Sequence, residues 1–151
     1  MIAPAGSGDA SDWGGIDEAT GAGRLKVSVE NRYLLVRMGP YFALKDRPDT
    51  SDAVAIEAFM LTGLEHGIDM ALFDTSQSTH GFGINTFRLM ADCHRKTGYR
   101  LRKVAVVAAS KSEPLRVELA QLVVSPTAGD PEVRVFSDSI DAEAWLHANE
   151  D

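Results

Sequence analysis

Cysteine is almost missing from this chain of 151 residues: Cys93 is its one example. A single thiol excludes an intramolecular disulfide framework and any zinc site built on cysteine pairs. Positive charge is also short, with 15 Lys and Arg against 22 Asp and Glu, a net charge of −7. Binding to a phosphate backbone needs clustered cations, so no nucleic-acid partner is expected. No apolar run approaches the roughly 18 residues of a membrane helix, so no span is expected. Residues 1–23 hold no Lys or Arg and no apolar core, unlike a secretory signal. With the lone free thiol, this points to a cytoplasmic location. What is present is ordinary: 44% hydrophobic and 25% charged residues, enough for one globular domain.

The chain divides at Arg24. Residues 1–23 are rich in glycine and acidic side chains, with Trp13 and Ile16 as apolar exceptions. Such a stretch buries too little apolar surface to offset its ordering entropy and reads as a flexible tail. Residues 24–151 read as the domain. Leu25, Val27 and Val29 alternate with polar neighbours, the period of a half-buried strand. Asn31 and Arg32 form a turn into a second strand, Tyr33 to Met38, which Gly39-Pro40 stops. Ser51 or Asp52 caps a helix from Ala53, with Ile56, Phe59, Met60 and Leu64 on its buried stripe. Met70 to Phe73 is a wholly apolar strand closed by Asp74. After the polar segment Thr75–Gly83 comes a helix that buries Ile84, Phe87, Met90 or Ala91, and His94, and stops at Gly98. Val104 to Ala109 is the most strand-like run and is expected to be central. A helix opening at Ser112 with Leu115, Leu119, Leu122 and Val123 follows, then a strand through Val133, Val135 and Phe136. Asp138 or Ser139 caps a last helix that buries Ala142, Trp145 and Leu146. The order ββαβαβαβα predicts an α/β fold: one mixed sheet of about five strands with about four helices, its crossovers right-handed and parallel.

Two motifs and this order resemble a known group. Val133-Arg134-Val135-Phe136-Ser137-Asp138, followed by Ala142-Glu143-Ala144-Trp145-Leu146, is similar to the closing strand and helix of SpoIIAA-like proteins. These are a branch of the STAS superfamily, the sulfate transporter and anti-sigma factor antagonist domains. Arg102-Lys103-Val104-Ala105-Val106-Val107 resembles that family's basic approach to a buried strand. The resemblance covers about residues 24–149 and implies a STAS-type fold. In the anti-sigma type of regulator, the loop after the third strand carries a phosphorylatable Ser or Thr in the pattern Asp-Ser-Ser-Gly. Here Ser78 stands at the Asp position, Thr79 and His80 at the two Ser positions, then Gly81, Phe82 and Gly83.

The loop is the first candidate site. A helix N-terminus favours an anion or a phosphorylated hydroxyl. Ser76, Ser78 and Thr79 are switch candidates beside Thr75, and Asp74, His80, Gly81 and Gly83 would shape an anion- or partner-binding loop. The same hydroxyls serve equally well as turn and cap residues. Tyr41, Phe42 and Phe82 are a candidate contact patch or pocket mouth if exposed. Arg95, Lys96, Arg100, Arg102 and Lys103 form a candidate docking patch for an acidic protein surface or an anionic lipid head group, or a plain solvated helix end. Cys93 and His94 are adjacent on a helix and diverge by about 100°, so they form no nucleophile–base pair. The four histidines show no ligand spacing, and no metal or other cofactor is expected. No nucleophile, base and orienting group can be assembled, so the chain does not read as an enzyme. The expected role is a non-catalytic cytoplasmic regulator that works through a protein partner, with a homodimer left open. The alternative is an apolar-ligand carrier lined by Phe42, Phe59, Phe82 and Phe87.

Overall fold

The computed structural model describes residues 19, 21, 23–42, 50–78, 82–107 and 131–148. Among the described residues, five strands form one sheet in the spatial order of the chain. They are β1 (Leu25–Val29), β2 (Leu34–Met38), β3 (Met70–Asp74), β4 (Lys103–Val107) and β5 (Glu132–Phe136). β1 and β2 are an antiparallel hairpin, and every later pairing is parallel. The described helices are α1 (Thr50–His66), α2 (Ile84–Thr97) and α3 (Ser139–His147). This is the mixed α/β sheet expected from the sequence. The helix expected from Ser112 lies outside the described residues.

Period-two alternation in the central strands feeds two cores. Leu34, Val36 and Met38 of β2, Ala71 and Phe73 of β3, and Val104 and Val106 of β4 face α1 and α2. Met70, Leu72 and Ala105 face the other way, onto Ala142 and Leu146 of α3. Strands buried on both faces need apolar side chains at successive positions, which is why β3 and β4 read as unbroken apolar runs.

Two details of α1 differ from expectation. The helix starts at Thr50, so Ser51 and Asp52 sit inside its first turn instead of capping it, and both are buried. Leu64 is 52% exposed, and Gly63 takes the inward position instead. The Tyr99 ring explains the exchange. Its hydroxyl donates to the Ile68 carbonyl, and its ring end occupies the space a Cβ at residue 63 would need. On α2, Cys93 is the buried residue and His94 is half-buried. Burial pushes the Cys93 thiol above its ordinary range, so it stays protonated and inert. α3 is capped as its sequence suggests: Asp138 accepts from the Asp141 amide at 2.8 Å.

Candidate functional site at the carboxyl rim of the sheet

Parallel strands bring their carboxyl ends to one rim, where open α/β sheets present functional groups. Here that rim carries Met38, Asp74, Val107 and Phe136. β1 runs the other way and adds its first residues, since Leu25 pairs with Met38.

The loop leaving β3 is built from short polar contacts. The Asp74 carboxylate accepts from the Ser76 amide at 2.9 Å, a turn in which the side chain stands in for a backbone acceptor. Thr75 is fully buried, and its hydroxyl donates to the Val107 carbonyl at 2.7 Å, tying the ends of β3 and β4 together. The Ser78 amide donates to the Thr75 carbonyl at 3.0 Å. Ser76 is thereby left exposed and Ser78 half-buried, while Thr75 is committed to the fold. Thr79, His80 and Gly81 lie outside the described residues. α2 then starts after Gly83, whose extended backbone offers no side-chain cap, and its first turn holds no acid.

The expected aromatic contact patch is corrected. Phe42 and Phe82 are fully buried, and Tyr41 is half-buried. Phe82 meets Phe73 at 4.9 Å and Phe87 at 4.9 Å, both edge to face, and Phe73 meets Phe59 at 5.4 Å in the same geometry. These rings fill one another's space, and with Phe42 in the same cluster all four side chains expected to line an apolar cavity are core. Phe82 also anchors the far end of the loop.

Beside the rim lies a buried ion pair that the sequence reading did not find. The Arg24 guanidinium stands 3.3 Å from the Asp52 carboxylate, with side chains 11% and 3% exposed, and it also donates to the Tyr41 carbonyl at 2.5 Å. The contact joins the entry to β1, the segment after β2 and the first turn of α1. Gly21 takes part in the same closure. Its φ is +74°, and a Cβ there would lie 2.6 Å from the Ala55 amide nitrogen in α1.

Of the basic docking patch, Arg95, Lys96, Arg100 and Arg102 are exposed, and Lys103 is buried. Arg95 pairs with Asp92, Lys96 with Glu57 at 2.8 Å, and Arg102 with Asp69 at 3.3 Å. The hydrogen bond it donates to the Glu57 carboxylate holds the Lys96 ammonium above its ordinary range. Arg100 is exposed. Lys103 points inward on the α3 side of the sheet and is 8% exposed. Its ammonium donates to the carbonyls of Trp145 at 3.1 Å and Ala148 at 3.0 Å, and lies 5.1 Å from the Trp145 ring centre. It therefore serves as a cationic cap on the C-terminus of α3. Lys103→Met keeps most of the volume and leaves these carbonyls without their charged donor. The variant is expected to lose about 1–3 kcal/mol of stability, read by urea unfolding. Amide exchange should quicken first in the last turn of α3. A midpoint equal to that of the unmodified protein would remove the capping role.

Among the described residues, no group of three or more His, Cys, Asp and Glu side chains could hold a metal ion, and no helix is long and apolar enough to cross a membrane.

With the fold and rim in place, comparison with solved structures shows a likeness of fold. The structure is similar to that of an uncharacterised protein of the DUF3478 family, with a SpoIIAA-like fold, from Shewanella loihica PV-4. The TM-score is 0.56 at 18% sequence identity, covering 82% of this chain and 93% of that chain. The likeness is one of fold: the chain adopts the SpoIIAA-like architecture. No protein-family model and no curated protein matches the sequence.

Proposed function

We propose that the domain is a non-catalytic cytoplasmic regulator. It binds a protein partner at the carboxyl rim and is switched by phosphorylation of the loop after β3, as the anti-sigma factor antagonists it resembles are. The supporting observation is the division of labour among the loop hydroxyls. Thr75 is locked onto Val107, whereas Ser76 stands exposed beside the Asp74 carboxylate that holds its amide.

A phosphate on Ser76 adds a charge of about −1.5 to −2. It would stand next to Asp74, and like charges so close repel. The turn held by Asp74 would open, and the uncapped first turn of α2 would attract the new anion. The rim would change shape and charge together, which releases a partner fitted to the unmodified loop. Ser78 and Thr79 are the neighbouring hydroxyls on which the same logic acts.

The test is a capture experiment from the cells that make the protein. The unmodified chain and a variant with Ser76→Ala and Ser78→Ala are expected to retain the same partner. A variant with Ser76→Asp and Ser78→Asp is expected to lose most of it, about tenfold or more by the cost of a like charge against a fitted surface. Equal retention by all three would contradict the switch.

A further inference from the structure

The chain enters the domain against α1, at a fixed point. Gly21 is buried with a φ of +74°, and the Arg24 amide donates to its carbonyl at 3.2 Å. A Cβ on Gly21 would lie 2.6 Å from the Ala55 amide nitrogen, so the backbone at residue 21 runs in contact with the helix. The Arg24–Asp52 pair ties the same junction to the first turn of α1. The residues before Gly21, of which 1–18 and 20 lie outside the described residues, are therefore delivered beside α1.

A surface helix places charged and polar residues on the face turned away from the core. On α1 the middle of that face is apolar. Val54 is half-buried, Ala58 is exposed and Leu61 is 44% exposed, at steps of four and three that align them in one stripe. Leu64, 52% exposed, continues it toward the end of the helix. Ala58 is one turn from Ala55, so the stripe begins where Gly21 touches the helix. Upstream of Gly21, the nearest large apolar residues are Ile16 and Trp13. An extended chain spans about 3.3–3.6 Å per residue, so Ile16 can lie up to about 17 Å from Gly21 and Trp13 up to about 27 Å. Leu61 is about 9 Å along the helix from Ala55, and Leu64 about 14 Å.

We infer that residues 13–16 dock on the outer face of α1, with Ile16 over Ala58 and Trp13 over Leu61 and Leu64. The occupant is the chain's own N-terminal segment, because its attachment beside Ala55 keeps it at high local concentration over the stripe, whereas a separate molecule bears the full entropic cost of association. The docked segment keeps the exposed leucines of α1 from water.

Chymotrypsin reads the docking, because it cuts after Trp13. Brief digestion of the full chain, with the cut sites identified by mass spectrometry, is expected to show slow cleavage there. L61D puts a charge into the stripe at an exposed position and is expected to speed that cut by about tenfold or more. I16D, which alters no described residue, is expected to do the same. I140D, at the 79% exposed position on α3, is expected to leave the rate unchanged. Circular dichroism is expected to be alike in all four proteins, and A58D repeats the test if L61D alters the spectrum. Equal rates in the unmodified chain, L61D and I16D would overturn the inference. So would a cut that quickens with I16D and not with the α1 variant, which places the segment elsewhere. Protection that grows with protein concentration would overturn it too, since it assigns the stripe to a second copy.

Discussion

Phe73→Ala is expected to destabilise the domain by about 3–5 kcal/mol, the range for removing a buried aromatic ring. At this chain length that lowers the midpoint of thermal unfolding by roughly 10 °C or more. Phe73 sits near the end of β3 with no exposed surface, and its ring is the shared neighbour of Phe59 in α1 and Phe82 before α2. Removing it breaks two edge-to-face contacts and opens a cavity between sheet and helices. It also takes away the ring against which Phe82 anchors the loop after β3. Amide exchange at Ser76 and Ser78 should therefore quicken beyond what global destabilisation accounts for. Ile140→Ala is the control, because that side chain is 79% exposed and its loss should cost no more than about 0.5 kcal/mol. A Phe73→Ala loss as small as that of the control would mean that the aromatic chain does not organise this core.

Breaking the Arg24–Asp52 pair should be comparably damaging. Asp52→Ala removes the buried carboxylate 3.3 Å from the guanidinium, and losing one member of such a pair costs about 3–5 kcal/mol. Arg24→Met leaves the Asp52 carboxylate buried, and it also removes the donor to the Tyr41 carbonyl. Replacing both, as Arg24→Met with Asp52→Ala, removes the two desolvated charges together and should cost clearly less than the sum of the single changes. Urea unfolding of the four proteins completes the cycle. Strict additivity would show that the two groups do not act as a pair.

The sequence made the central strands plain because burial on both faces leaves no room for polar residues, as in Met70 to Phe73 and Val104 to Val107. The closing helix was plain because Asp138 caps it in sequence and in space. α1 was blurred by its own composition. Leu61 and Leu64 are exposed apolar residues that widen the stripe, while Gly63 faces inward for a reason visible only once Tyr99 is in place. Most partners of the basic cluster were hidden because they are distant in the chain: Glu57 for Lys96, Asp69 for Arg102 and the end of α3 for Lys103. One signal did exist for Lys103. It shares the alternation of Ala105 and Val107, so a strand there places it on the α3 face. No comparable signal pointed to Arg24 and Asp52, which meet only after α1 has packed on the sheet. The glycine and proline around Phe42 and Phe82 hid two core residues inside loop-like segments.

The switch itself is tested most directly by tandem mass spectrometry of the protein taken from the cells that make it, under several growth conditions. The account predicts phosphate on the loop after β3, at Ser76, Ser78 or Thr79, and none on Thr75, whose hydroxyl is held by Val107. A loop peptide that is unmodified in every condition, or one modified at Thr75 alone, would contradict it.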